Sequence, residues 1–262
     1  MSGGGRKTLK TLIGTYPHTA PLKSSALRSD RLDFEFTEIV PVWDGFKGMI
    51  RDDKYDVSEM AVVTYLLAKA HGKPLALLPA AMVGRFQHPY AIYSASKGPM
   101  TPADLKGKRV GIRSFTTTTD AWIRGILAND YGVDLDSIQW VTFEEPHVAE
   151  YKDTTQRARE GKKIVPMLLD GELDAVLGES SDDRGSSHCS AIHWPKRNVG
   201  TPSTRWCRST ISWSCVRTTS RRLRTMPAKS IACCGRASGW RARQQLRTQR
   251  RSVSKPIGRA SR

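Results

Sequence analysis

Apolar residues along the first 183 positions recur with two periods, two residues in some stretches and the helical period in others. Leu32–Ile39 (LDFEFTEI) alternates strictly and predicts a strand. Thr8–Gly14 (TLKTLIG) predicts an earlier one, closed by Gly14 and the polar loop Thr15–His18. Trp43–Arg51 places Trp43, Phe46 and Ile50 on one helical face. Tyr55–Met60 reads as a short strand running into a helix over Ala61–Ala70, which His71-Gly72 ends as a C-cap. Leu75–Leu78 and Ala91–Tyr93 are further short strands, and Ser94–Thr101 (SASKGPMT) carries turn chemistry. Thr101 caps a one-turn helix with Pro102 at its first position, and Arg109–Ile112 follows as a strand. Asp120–Asp130 predicts an amphipathic helix with Trp122, Ile123, Ile126 and Leu127 inward. A strand at Ile138–Val141, a helix at Ile164–Leu169 and a buried strand before Gly178 complete the pattern.

Strands alternating with helices predict an α/β fold with mostly parallel sheets. Such sheets gather their ligands at the carboxyl ends of the strands, so residues just after each strand are the ones to inspect.

Composition changes this picture at one place. From Arg184 to Arg262 there are 16 Arg and 3 Lys with no Asp or Glu, which leaves 23 basic against 25 acidic residues in positions 1–183. The net charge of +17 therefore belongs to the tail. All five cysteines lie there too (Cys189, Cys207, Cys215, Cys233, Cys234), without paired CxxC spacing for zinc. The strand and helix periods stop at the same point, and Arg, Ser, Thr, Trp and Cys take over, as when GC-rich coding DNA is read out of frame. Shifting the frame by one base restores acids and periodicity. With permitted synonymous codons, Gly185–Lys196 becomes RLKPLFRDPLAE, Thr201–Thr219 ends in HPVVPINHLVVVREDD, and Ala228–Trp240 becomes the amphipathic REVDRMLRESKRL. The tail is expected to be a frameshift product without a stable fold of its own. Read as written, its charge would give salt-sensitive, unspecific contact with polyanions, with no aromatic platform or basic helix to make a nucleic-acid site. The N-terminus lacks an apolar export segment and no window reaches the length of a membrane span, so a cytoplasmic location is expected.

The order "strand, TPADLKGKRVGI, Thr-rich loop, helix, strand, GELDAVL" resembles the type 2 periplasmic-binding-protein fold. DVSEM at Asp56–Met60, the YLLAKAHG helix, RFQHPYAIY at Arg85–Tyr93 and WIRGILANDYGVD at Trp122–Asp134 resemble one branch of it. That branch holds the 4,5-dihydroxyphthalate decarboxylases and solute-binding relatives. The resemblance runs from about Thr8 to about Asp183, and the re-read PINHL is similar to the family's return strand. It implies two lobes: residues 1–93 as the first part of lobe 1, 94–183 as lobe 2, and a return to lobe 1 that the tail as written does not supply.

Within that frame the candidate site residues are few. Ser58-Glu59, where a strand passes into a helix, can hold a carboxylate or handle a proton; the plainer reading is a helix cap. Arg85 suits bidentate capture of a carboxylate, and His88 can serve as the acid–base group; the plainer reading is a surface pair in a loop. Thr116, Thr117 and Thr118, after Ser114-Phe115 and before a helix, can cradle an anion; the plainer reading is an extended cap. Members of the family often carry Tyr where Phe115 stands. His18, His71 and His147 read as structural. No P-loop, GxGxxG, GxSxG or metal spacing occurs, so no cofactor is expected. The resemblance implies decarboxylation of a dihydroxylated aromatic diacid, with Arg85 as clamp, His88 as proton donor and Glu59 as base. The alternative is a non-catalytic binding protein for a small anionic ligand.

Overall fold

The computed structural model describes residues 6–180 and 188–195 in full, and the backbone of 209–217. It contains two sheets, one per lobe. In lobe 1 the strand order is β2 (Leu32–Phe36), β1 (Lys7–Leu12), β3 (Val57–Ala61), β11 (Ser209–Arg217), β4 (Leu75–Arg85). β1 runs parallel to both β2 and β3, and β11 lies antiparallel between β3 and β4. β4 carries Pro79, which cannot donate to a ladder, and it is accordingly an edge strand. In lobe 2 the order is β10 (Cys189–Ala191), β5 (Ala91–Ser94), β9 (Ala175–Leu177), β6 (Arg109–Ile112), β7 (Gln139–Thr142), β8 (Gln156–Arg157). The run β9-β6-β7-β8 is parallel, while β5 and β10 join antiparallel.

The helices are α1 (Ala20–Lys23), α2 (Phe46–Arg51), α3 (Val62–Ala70), α4 (Thr118–Tyr131) and α5 (Ile164–Leu169). α3 ends where the sequence predicts: the His71 and Gly72 N–H groups donate to Leu67 and Lys69, and Gly72 takes a left-handed φ of +73° that suits glycine. Pro102 opens a short 3-10 helix behind Thr101, whose hydroxyl and N–H both bond Asp104. Leu12, Phe46, Met49, Met60 and Val148 pack the lobe 1 core, and Leu105, Ile112, Ile123 and Leu127 pack that of lobe 2.

Four expectations need correction. Ala91–Tyr93 belongs to lobe 2: β5 pairs with β9 and β10, so the chain crosses at residues 86–90 rather than at Ser94–Thr101. Lobe 2 does not end at Asp183, because Cys189 and Ile192 are buried within it and Trp194 packs against the same core. The tail is not wholly outside the fold either, since β11 returns to the middle of the lobe 1 sheet. The remainder of the tail, 196–208 and 218–262, lies outside the described residues. Finally, Trp122 is 45% exposed and does not join its core, and Trp43, also 45% exposed, does not share a face with the buried Phe46 and Ile50. The buried side of α4 carries Asp120, Ile123 and Leu127 at helical spacing, and Trp122 falls one residue off that stripe. Trp43 sits in a 3-10 turn, Val42–Gly45, ahead of α2, which breaks its register with Phe46 and Ile50.

Candidate functional site

The carboxyl ends of β1 and β3 in lobe 1 meet the segments that follow β6 and β7 in lobe 2. On the lobe 1 wall Glu59 is 2% exposed. Its two oxygens accept from the Gly14 N–H at 3.1 Å and the Tyr16 hydroxyl at 3.0 Å. Burial, with the Glu59 charge and hydrogen bond added, pushes the Tyr16 phenol well above its ordinary pKa. Gly14 permits this arrangement, because a Cβ there would come within 2.6 Å of the Tyr16 ring. His18 stacks on Tyr16 with ring centroids 5.3 Å apart. Ser58 spends its hydroxyl on the Glu59 carbonyl at 2.7 Å, so it acts on the backbone and not as the anion donor expected.

The two lobes touch along a polar seam. The Val63 N–H, in the first turn of α3, donates to Thr118 Oγ1 at 3.1 Å. Arg85 Nη2 donates to Thr119 Oγ1 at 3.1 Å, and its guanidinium lies 3.5 Å from the centroid of the Tyr90 ring. Thr117 donates to Asp120, and Thr116 shares a hydrogen bond with Ser114 at 3.2 Å. The hydroxyls of Thr116, Thr117 and Thr118 thus have protein partners, and two of the four contacts join the lobes. In this state the threonine loop fastens the seam and does not form an open anion cradle. Asp120, fully buried, lies against Gly178, where a Cβ would stand 2.8 Å from Oδ1. Burial raises its carboxyl to a pKa of about 7, against the pull of Thr117, Arg124 and Arg113.

His88 is placed differently from its expected role. It begins a short 3-10 helix at the crossing, and its ring packs edge-on against Trp194 with centroids 4.9 Å apart. Trp194 in turn meets Tyr131, at the carboxyl end of α4, while the threonines sit at its amino end. Burial lowers the His88 pKa, with Asp130 opposing. The structure brings Glu59 and Arg85 to the lobe interface and sets the His88 imidazole into the hinge.

Beside the seam a cavity of about 500 Å³ opens between the lobes. Trp43 and Lys47 line it from lobe 1; Arg113, Phe143, Glu144 and Arg157 line it from lobe 2. Arg113 and Glu144 form a two-pronged ion pair, Nε to Oε1 at 2.8 Å and Nη2 to Oε2 at 2.9 Å. Burial alone would raise Glu144; the bonds and charge of Arg113, with Lys47, hold its pKa below the usual carboxylate range. His147, at the rim, is lowered to about 4 by burial and then by Lys47, and its Nδ1 lies 2.8 Å from Thr64 Oγ1. Sequence reasoning missed this cavity. A signal existed, since Arg113 follows β6 directly and Phe143-Glu144 follow β7 directly. The sequence pattern sets Trp43 on one helical face with Phe46 and Ile50, which hides its place on the cavity wall.

Two curated relatives are similar to this sequence. A 4,5-dihydroxyphthalate decarboxylase of Comamonas testosteroni is 32% identical over 190 residues, covering 68% of this chain and 57% of the relative. One of Pseudomonas putida is 29% identical over 180 residues, covering 65% of this chain and 69% of the relative. Over these residues the chain is similar to 4,5-dihydroxyphthalate decarboxylases. It spans little more than half the length of the Comamonas member, at 57%. No family model matches it. The fold is that of periplasmic binding proteins. The alkanesulfonate-binding protein of Xanthomonas axonopodis pv. citri superposes with a TM-score of 0.56 at 14% identity, covering 97% of this chain and 82% of that one. The aliphatic sulphonate binding protein of Escherichia coli gives 0.57 at 13% identity, covering 93% and 76%. Such identities show architecture alone. Among the described residues, no His/Cys/Asp/Glu group is placed to hold a metal, and no helix is long and apolar enough to cross a membrane.

Proposed function

We propose that this protein decarboxylates a dihydroxylated aromatic dicarboxylate of the 4,5-dihydroxyphthalate type. The observation that carries the reading is the 32% identity to a protein of that name over 190 residues, on a two-lobed fold with a polar interlobe site. The chemistry suits such a site. A ring hydroxyl gives up its proton and pushes electron density to the carbon that bears the departing carboxylate. That carbon takes a proton, the carbon–carboxylate bond breaks to release CO2, and aromaticity returns, leaving 3,4-dihydroxybenzoate. The ring serves as its own electron sink, so the protein must hold two carboxylates, accept one proton and supply another.

Glu59 and Tyr16, hydrogen-bonded at 3.0 Å, are the proton-handling groups in this reading. Arg85 closes the lobes through Thr119, and His88 stiffens the hinge. The test is CO2 release from 4,5-dihydroxyphthalate by the full chain, with Glu59→Gln beside it. We expect turnover by the parent and a loss on the order of a hundredfold in the variant, the usual worth of a general acid or base. Saturable binding with no CO2 from the parent would reject catalysis and leave a binding protein.

A further inference from the structure

We infer that His18 is the acid that protonates the ring carbon as the carboxylate leaves, working beside Glu59 and Tyr16. The assignment rests on the decarboxylase reading and names the proton supplier which that reading requires.

The balance of the reaction sets what the supplier must be. A carboxylate leaves as CO2 and a hydrogen takes its place on the ring, so every turnover consumes a proton from solvent. The proton drawn from the ring hydroxyl returns to it once aromaticity is restored. The group that takes and returns that proton can be sealed from water, whereas the group that feeds the carbon must be reloaded. Glu59 fits the first part. It is 2% exposed, and the Gly14 N–H and the Tyr16 hydroxyl both donate to it, so it is held as an acceptor. Tyr16 is a poor source for the carbon, because burial and Glu59 push its phenol well above its ordinary pKa.

His18 fits the second part. It lies on the loop beyond β1, and its ring stacks on Tyr16 within 6° of parallel, 5.3 Å between centroids. The stack brings the imidazole to the pair that handles the hydroxyl proton, and it leaves the ring nitrogens, which lie in the ring plane, clear of Tyr16. His18 is half-buried with Nε2 shielded from solvent, so the ring stands at the boundary between the site and water. The loop is built to hold this place. Buried Thr19 accepts from the Tyr16 N–H at 2.8 Å and donates to the Gly14 carbonyl at 2.7 Å. Lys23 ties the same loop through the Ile13 carbonyl at 3.2 Å and Thr15 Oγ1 at 2.7 Å, and Glu38 meets its charge. Other groups that carry protons near neutrality are committed elsewhere. His88 packs on Trp194 in the hinge, and Asp120 is fully buried within lobe 2. His147 bonds Thr64, and a pKa of about 4 leaves it neutral where the others are charged.

The test is turnover of 4,5-dihydroxyphthalate by the full chain, by His18→Phe and by His18→Gln. Phenylalanine keeps an aromatic ring on Tyr16 but cannot carry the proton. Both variants should lose on the order of a hundredfold in kcat, the usual worth of a general acid. Phthalate, which lacks the ring hydroxyls, should bind both variants within about twofold of the parent by calorimetry, as for a group that acts in the chemical step. The parent's kcat should fall on the alkaline side, where an imidazolium gives up its proton, and the residual kcat of His18→Phe should lack that fall. Asp120→Asn should keep it, which separates His18 from the buried acid that titrates at about 7. His18→Phe turning over as fast as the parent overturns the assignment and leaves the decarboxylase reading standing. Loss of phthalate binding in both variants, or loss of the alkaline fall in Asp120→Asn, overturns the assignment in the same way. A parent that releases no CO2 overturns the reading, and the assignment with it.

Discussion

Asp120 concentrates the physical tension of the molecule in one side chain. It is the third residue of α4, a position where an acid normally profits from the helix dipole in water. Here it is fully buried, pressed toward Gly178, with Arg113, Arg124 and Glu179 as its charged surroundings. Its pKa moves from 3.8 to about 7 because the ionised form has lost its water. The sign follows from proton linkage. Below 3.8 both folded and unfolded chains carry the proton and the shift has no effect; as pH rises to about 7 the folded state alone keeps it, and stability falls. The full cost of ionising the group in the folded state is roughly 4 kcal/mol. Asp120→Asn should therefore gain on the parent as pH rises from about 4 to about 7, read as the difference in urea midpoints. A parallel decline of both proteins would show that another group titrates. The sequence marked Asp120 only as the start of a helix. Nothing local reveals that its carboxyl faces inward, because burial depends on the lobe 2 core and on Gly178, distant in the chain.

At the scale of elements, the stretch between β7 and β8 behaves as a strap from lobe 2 onto lobe 1. Val148 is fully buried in the lobe 1 core, Arg51 donates to the carbonyls of Pro146 at 2.6 Å and His147 at 3.0 Å, and Lys73 pairs with Glu150 at 2.7 Å. His147 sets how this strap responds to acid. Its folded pKa of about 4 lies below the usual 6.5, so the stabilisation it reports is complete above 6.5 and is lost as pH falls toward 4. The loss is at most about 3 kcal/mol. His147→Gln should flatten the acid side of the stability curve, and the opening of α2 and α3, read from amide exchange corrected for its intrinsic pH dependence, should stop rising as pH falls from about 6.5 to about 4.5. Unchanged acid sensitivity in the variant would assign the effect elsewhere. His147 was read from sequence as structural, and its Thr64 partner at 2.8 Å fits that role. That it fastens two lobes was not legible, because its partners lie some eighty residues away, with a separation of 83 for Thr64.

For the whole molecule the tail is decisive. β11, the strand that closes lobe 1 between β3 and β4, is written STISWSCVR, with four Ser or Thr among nine residues. With permitted synonymous codons the shifted frame can read INHLVVVRE over Ser209–Arg217, a more apolar strand. We therefore propose that resequencing across the codons of Arg184 and Gly185 will reveal a single-base change that restores an acidic C-terminus. Expressed with that frame, the protein should be more soluble and unfold at a higher temperature than the chain as written. Confirmation of the written frame in an independent clone would end this reading.

The sequence by itself determined the alternation of strands and helices, the caps at Thr101 and Gly72, and the resemblance to 4,5-dihydroxyphthalate decarboxylases. These follow from local periodicity, from backbone preferences of single residues and from words such as DVSEM that survive in a linear text. Only the tertiary structure decided where the lobes divide, since β5 has the same local pattern whichever sheet receives it. It also decided which polar groups are already spent. Ser58 and the threonines read as donors for a ligand, yet Ser58 bonds the adjoining Glu59 carbonyl and Thr117 bonds Asp120 within one turn, while Thr118 meets Val63 only through folding. The interlobe cavity belongs to the same class, because Trp43, Lys47, Arg113 and Phe143 become neighbours only when two separately folded sheets face each other.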